Sequence, residues 1–404
     1  MYRSIYVPFD NSAHALRAAE IALAIAARGG GELTASHVHA ASLHERRFRQ
    51  MEGGLPEPYR SEKALTEQRE IHGDLIERGL TLISESYLDV VSAKCARAAV
   101  PCRRVTLEGK NWRRLVQDIQ ASSHDLVVMG ALGLGAVGCS VLGSVCERVA
   151  RRIDRDLLIV KSPLADQPGG IMVAIDGSEH SYGALEAALA LARIFDRPVE
   201  AVAVYDPFFH YAAFQSIAGV LSPAAAAVFR FEEQERLHGQ IIDGGLARIY
   251  QGHLDLAVKM AAEAGVRLPA TLLAGKALEQ ILNELRQRKP WLLAAGRAGI
   301  HADGETDVGS TAENLLRLAQ CNVLLAARRV APALEQMAET ALAWTGEAQA
   351  RMQRVPDFAR EMARRAVMQH ALERGHAVIT SDVIDSCLRG SGARCPCPHA
   401  TGKR

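Results

Sequence analysis

Runs of four to six apolar residues alternate with longer segments in which apolar positions recur every three to four residues, and the whole series is played through twice. A strand over Ser4 to Pro8, a helix over His14 to Arg28 and a strand over Glu32 to Val38 open the first pass. Ile171 to Ile175, Ser181 to Phe195 and Val199 to Val204 open the second. Each pass then holds an irregular stretch (40–62; 206–224) and a long helix (Glu62 to Ala99; Ala225 to Gly265). A third strand follows (Cys102 to Leu107; Arg267 to Leu273), then a helix (Asn111 to Ser122; Lys276 to Arg288) and a fourth strand (Asp125 to Gly130; Trp291 to Gly296). A helix opening at Ser144 or Ser310 and a last strand (Asp156 to Val160; Asn322 to Ala326) close each pass. Apolar strands separated by helical segments predict a parallel sheet covered on both faces. The fold class is therefore α/β: two tandem five-stranded, Rossmann-like parallel-sheet modules.

The divisions follow from where the pattern breaks. Residues 1–162 form the first module and 171–328 the second, joined by a Pro/Gly-rich linker over 163–170. After a further linker at 329–340, residues 341–392 read as a small α-helical domain, with 393–404 as a tail. There Phe358, Met362 and Ala366 recur at spacing four, Pro356 suits a helix start and Gly375 a helix stop. The apolar step Val378-Ile379-Thr380 precedes a second helix from Ser381. The polar stretch 40–62 has the composition of a lid or insertion, and the aromatic-rich 206–224 that of a segment packed on the core.

Composition narrows the function classes. A formal net charge of +1 over 404 residues gives no bulk attraction to nucleic acid or to an anionic membrane. No run approaches the roughly eighteen apolar residues of a membrane span, and the chain starts directly with a strand, so a cytoplasmic location is expected. Residues 341–404 hold ten Lys/Arg against six Asp/Glu, a local surplus the total hides. The eight cysteines show no paired framework and predict reduced thiols.

The two passes share one register. Gly130-x-x-Gly133, nine residues, Gly143-Ser144 is matched by Gly296-x-x-Gly299, nine residues, Gly309-Ser310, each position 166 residues on, and Asp10 and Asp176 keep the same interval. A glycine loop between a strand end and a helix presents free backbone N–H groups and the positive end of a helix dipole, which suits phosphate. An Asp at the carboxyl end of the first strand stands where ligands gather in such sheets, and could accept a hydrogen bond from an adenine amino group.

This arrangement resembles the universal stress protein family in its ATP-binding subclass, over residues 1 to about 328; the opening Asp176-Gly177-Ser178-Glu179-His180-Ser181 is closer to the family pattern than Asp10-Asn11-Ser12. The resemblance implies an adenine nucleotide hydrolase-like fold and a nucleotide held by Asp10, Val38, Met129, Gly130, Gly133, Gly143, Ser144 and Val145. The corresponding set in the second module is Asp176, Val204, Gly296, Gly299, Gly309, Ser310 and Thr311. It also implies pairing of the modules through their last strands within one chain, and leaves a homodimer open. No catalytic residue is implied: His37, His39 and His124 read as structural, and no Walker lysine is present. ATP or another adenine nucleotide is then a ligand that sets conformation for a protein partner. Slow ATP hydrolysis or phosphotransfer is the alternative.

The loops differ in charge. Leu134 to Leu142 carry none, whereas Ile300 to Val308 carry Asp303, Glu305 and Asp307, which repel a polyphosphate unless a divalent cation such as Mg²⁺ bridges them. Arg297 offsets part of that charge. The first site is therefore expected to bind ATP more tightly. Residues 344–388 resemble the small C-terminal domain of the light-independent protochlorophyllide reductase B subunit, which implies a docking or redox-associated module and raises an accessory role in a redox or tetrapyrrole-related complex. Cys387, Cys395, Cys397 and His399 are soft donors for a zinc or iron site, against the alternative of a flexible tail.

Overall fold

The computed structural model describes residues 2–164, 167–207, 243–300, 308–333 and 342–390. In the first module β1 (Ser4–Pro8), β2 (Glu32–His39), β3 (Cys102–Glu108), β4 (Leu126–Gly130) and β5 (Asp156–Val160) alternate with helices. These are α1 (Ala13–Gly29), α2 (Ala41–Met51), α3 (Glu62–Arg97), α4 (Asn111–Ala121) and α5 (Ser144–Ala150). The second module repeats the series with β6 (Ile171–Ala174), β7 (Val199–Tyr205), β8 (Ala270–Ala274), β9 (Leu292–Gly296) and β10 (Asn322–Ala326). Its described helices are α6 (Glu179–Phe195), α7 (Asp243–Glu263), α8 (Ala277–Arg288) and α9 (Ser310–Leu318).

The ten strands form one sheet in the order β3-β2-β1-β4-β5-β10-β9-β6-β7-β8. Pairing is parallel within each module and antiparallel at the centre, where Leu157 faces Leu325, Leu158 faces Leu324 and Ile159 faces Val323. The expected pairing through last strands is thus present within one chain. Every residue of β5 and β10 is buried, which explains their unbroken apolar sequences. Each face of the sheet carries one core that runs through both modules: α1, α3, α6 and α7 cover one face, and α4, α5, α8 and α9 the other.

Polar contacts fix the junction. Asp156, 3% exposed, accepts from the Ala327 and Arg328 amides at 2.8 and 3.0 Å, from Tyr2 Oη at 2.6 Å and from Arg328 Nε at 2.6 Å. The residue 166 positions on is Asn322, whose Oδ1 accepts from the Lys161 amide at 3.0 Å. Glu147 of α5 and Arg151 just beyond it form an ionic ring with Glu313 and Arg317 of α9, again position for position.

Two readings of the pattern need correction. Residues 40–62 are largely helical: Ala41–Met51 contains no Gly or Pro, and α2 leans on α3 through Phe48 stacked on His72 at 4.0 Å and Arg69 paired with Glu52 just beyond α2. In the C-terminal domain, helices α10 (Gly346–Gln353), α11 (Asp357–Glu373) and α12 (Ser381–Gly390) pack with the paired two-residue strands β11 (Ala343–Trp344) and β12 (Val378–Ile379). There α11 buries Ala359, Val367, Met368 and Ala371, one residue round from the Phe358, Met362, Ala366 stripe, which faces solvent. The stretch 206–224 beyond Pro207, and the start of the long helix expected over 225–265, lie outside the described residues. No described helix is long and apolar enough to cross a membrane.

Replacing Asp156 by Ala leaves a half-buried guanidinium, a buried phenol and two amides without their acceptor. Urea unfolding should show a loss of about 3 kcal/mol or more. Asp156→Asn, which copies its counterpart Asn322, should lose clearly less.

Candidate functional site

Both glycine loops leave the carboxyl end of a central strand and cross the end of the neighbouring first strand, where an Asp-x-Ser turn ties them down. Asp10 accepts from its own turn at Ser12 N (3.1 Å) and from the loop at Leu134 N (3.2 Å). Ser12 caps α1 by accepting from Ala15 N at 3.2 Å and donates to Leu132 O in the loop at 3.2 Å. Asp176 repeats this with Ser178 N at 2.9 Å, Ser178 Oγ at 2.6 Å and Ile300 N at 3.1 Å. The middle residue of the turn is left-handed in both, Asn11 at φ 60° and Gly177 at φ 87°, a conformation that Asn and Gly tolerate best.

The glycines of each loop are needed for fit to the chain itself. A Cβ on Gly130 would lie 2.8 Å from Ala15 N and from the His14 carbonyl carbon, because α1 starts against the end of β4; Gly296 meets His180 and Ser181 in the same way at 2.9 Å. A Cβ on Gly133 would lie 2.5 Å from Asp10 Oδ2, and one on Gly299 2.8 Å from Asp176 Oδ2. Gly143 and Gly309 precede α5 and α9, where no side chain caps the first turn.

All eight positions expected in the first module line one cavity of about 640 Å³. All seven in the second line another, of about 370 Å³. The larger also takes in Ser36, His37, Asn111 and Leu115, which sequence reasoning missed. The signal was available in part: Ser36 precedes Val38 by two on the same strand and so shares its face. Ser36 is wholly buried, and its hydroxyl, beside that of Tyr6, meets full hydrogen-bond geometry with no partner among the described residues; the Tyr6 hydroxyl donates to Asp118 at 2.7 Å. In the smaller cavity the same place is held by Val202. Tyr250 also lines that cavity; its counterpart, Ser84, lies beneath His37 and His39, 3.2 and 3.4 Å from their Nδ1 atoms.

Arg297 reaches beyond its own module. Its buried guanidinium crosses the module junction and donates to Ala150 O at 2.8 Å and Arg151 O at 3.0 Å, capping the C-terminus of α5. Its counterpart in the first loop is Ala131. Asp303, Glu305 and Asp307 lie outside the described residues. Among the weak metal candidates Cys387 is buried in the helical core with its thiol directed at Ala366 O, 3.7 Å away, while Cys395, Cys397 and His399 are outside the described residues. No group of three or more His, Cys, Asp or Glu suited to a metal occurs among the described residues.

The family profile described as "Universal stress protein family" matches residues 1–161 and again 170–327. The chain belongs to the universal stress protein family. The "universal stress protein in QAH/OAS sulfhydrylase 3'region" of Thermus aquaticus is 29% identical over 162 residues, covering 40% of this chain and all of that protein. The crystal structure of a universal stress protein from Archaeoglobus fulgidus DSM 4304 is 14% identical and covers 80% of this chain and 97% of its own, with a TM-score of 0.52. A universal stress protein solved in complex with cAMP is 24% identical over 39% of this chain and 97% of its own, with a TM-score of 0.26. Residues 344–387 match the profile described as "Proto-chlorophyllide reductase 57 kD subunit", so this universal stress protein pairs its tandem modules with a further small domain.

The two glycine contacts in the first loop separate experimentally. Gly130→Ala forces backbone apart and should lower stability by about 1–3 kcal/mol in chemical denaturation. Gly133→Ala meets only the tip of a side chain, so thermal unfolding should change little while amide exchange at Leu134 speeds up as the Asp10 contact is lost.

His37 is held below the ordinary histidine value by burial, against the opposing pull of the Asp10 carboxylate, and His124, His180 and His253 are lowered chiefly by burial too. Because the folded state resists protonation, their contribution to stability is complete above about pH 6.5 and is lost as pH falls below it. The melting temperature should therefore hold from about pH 8 to 7 and drop towards pH 5.5, with a shallower drop in His37→Gln.

Proposed function

We propose that this universal stress protein binds an adenine nucleotide, ATP by preference, in the larger cavity and uses the bound state to signal to a protein partner. The observation that carries this reading is the convergence of all eight expected positions on one cavity at the carboxyl end of the first module's sheet. About 640 Å³ falls within the ~300–1,000 Å³ typical of small-molecule sites. Val38, Met129 and Leu115 give an apolar wall for a purine, and the glycine loop with Ser144 and Val145 gives hydroxyl and amide groups for phosphates. Asp10 holds the loop to β1 and retains acceptor capacity beyond its two amide contacts.

The second cavity is the weaker site in this reading. Tyr250 lines it, Val202 stands where the larger cavity has Ser36, and Arg297 caps α5. Mg²⁺ is the cation that would bridge those carboxylates to a polyphosphate. The partner contact falls on the C-terminal domain, where Phe358 and Met362 are 85% and 69% exposed on a helix bearing several arginines.

Calorimetric titration of ATP tests this directly. Wild type should bind, Gly143→Val should lose most of the affinity, and Gly309→Val should lose little. Equal losses would remove the ranking of the sites, and absence of binding would remove the nucleotide. Ser36→Ala should weaken AMP, ADP and ATP alike by about fivefold, the value of one hydrogen bond, while the ligand-free protein keeps or raises its melting temperature.

A further inference from the structure

The layer between α3 and the edge of the sheet holds a pair of thiols with no counterpart in the second module. Cys95 lies in the last turns of α3, on the face that carries Ser84, Leu88 and Val91 onto the strands. Cys102 opens β3, and its side chain packs against the same core from the strand side. The two thiols are free and within hydrogen-bonding reach of each other. Ser92, one helical turn before Cys95, brings its Oγ to 4.0 Å from the Cys102 Sγ, which places Cys102 along that same helix face.

The backbone keeps the two cysteines close. The connection from α3 to β3 is folded back on the helix by Ala98 N to Lys94 O (3.2 Å), Ala98 N to Cys95 O (3.1 Å) and Val100 N to Cys95 O (3.0 Å), with Ala99 left-handed at φ 53°. The 166-residue register places Ala261 and Leu268 at the corresponding positions, both buried in the same core. An ordinary apolar pair therefore fills this corner, and packing alone does not call for sulfur.

Access to the pair is one-sided. Cys95 is 1% exposed, whereas Cys102 is partly open to solvent with Arg104 nearby. The hydrogen bond from Cys95 lowers the Cys102 thiol to about 7, and the same bond, reinforced by burial, raises Cys95. Cys102 is the thiol of the pair that solvent reaches, and it is shifted towards the thiolate, the form that reacts with peroxides.

We propose that Cys95 and Cys102 are a peroxide-reactive dithiol that closes to an intramolecular disulfide. The Cys102 thiolate attacks one oxygen of a hydroperoxide, forming an S–O bond and breaking the O–O bond; the departing alkoxide takes up a proton and leaves as an alcohol, or as water from hydrogen peroxide. Cys95 sulfur then attacks the sulfenic sulfur, the S–S bond forms, the S–O bond breaks and hydroxide leaves with the Cys95 proton as water. Two electrons pass from the dithiol to the peroxide, and no other reactant is needed. The bond ties α3 to β3, the outermost strand. β2, whose Ser36, His37 and Val38 line the larger cavity, lies between that tie and the rest of the sheet.

The test uses the full chain treated with hydrogen peroxide, alkylated in denaturant and analysed by intact and peptide mass. Wild type should take up two fewer alkyl groups than the untreated chain, with a further loss of about 2 Da from the bond itself, and yield a linked Cys95–Cys102 peptide that disappears on reduction. Cys102→Ser and Cys95→Ala, the latter copying the second module, should both abolish the link. Cys139, exposed in the first glycine loop, is the internal control. If Cys139 is oxidised while Cys95 and Cys102 are recovered alkylated, if Cys102 stops at an oxyacid, or if either cysteine links elsewhere, the proposal is overturned. Nucleotide binding does not enter the readout, so the result is independent of the proposed function.

Discussion

The antiparallel pairing of β5 with β10 is the constraint on which the rest of the structure depends. Each is the last strand of its module, and each is buried along its whole length. Unpaired, such a strand would be an apolar edge with open backbone groups, a template for aggregation. Pairing the two removes both edges at once and fuses two five-stranded sheets into one. Because the pairing is antiparallel, the strands of the two modules run in opposite directions. Their carboxyl ends, and with them the two cavities, lie at opposite margins of the sheet. The helices that precede these strands, α5 and α9, are brought side by side and joined by the Glu147, Arg151, Glu313 and Arg317 ring.

Within each module the glycine loop is shaped as much by its own chain as by any ligand. The place of a Cβ on Gly130 is taken by the start of α1, and that of a Cβ on Gly133 by the Asp10 carboxylate. The spacing of the motif therefore records how a loop is clamped over a strand end by an Asp and a capping Ser. The cavity adjoins that clamp, with Asp10, Ser12, Gly130 and Gly133 all in its wall. This gives a physical reason for the early Asp and the later glycines to keep one register across the duplication: they are in contact.

Much of this was legible in the residues. The strand limits of β1, β5 and β10 were readable because each is an apolar run bounded by polar or turn residues, and the positions that line the two cavities were singled out because they sit at strand ends and in one repeated motif. Three features were not. The helix over Ala41–Met51 was hidden by its polarity, since a helix with little to bury leaves no apolar stripe. The inward face of α11 was not given by its spacing, because Phe358 and Met362 are apolar but outward and the buried face lies one residue round. The reach of Arg297 across the junction could not be read: Ala150 and Arg151 receive it through main-chain carbonyls, and main-chain acceptors leave no trace in composition or spacing.

The way the modules diverge says where duplication left room for change. Positions in the clamp and at the junction are kept or exchanged conservatively: Asp10 with Asp176, Ser12 with Ser178, Glu147 with Glu313, Asp156 with Asn322. Positions at the cavity floor are exchanged more freely: Val202 stands where the larger cavity has Ser36, and Tyr250 lines the smaller cavity where Ser84 is buried under β2. Such a division is what packing predicts. A change in the clamp meets backbone on several sides, whereas a change on a cavity floor meets empty volume and costs little. Arg297 departs from this rule in an instructive way: it lies in the clamp region, replaces an alanine, and is accommodated because it leaves its own cavity and caps α5 across the junction. The second loop thereby holds the helix that opens beside the first cavity. Site asymmetry and junction stability consequently meet in one side chain, which ties the fate of the smaller cavity to the integrity of the larger.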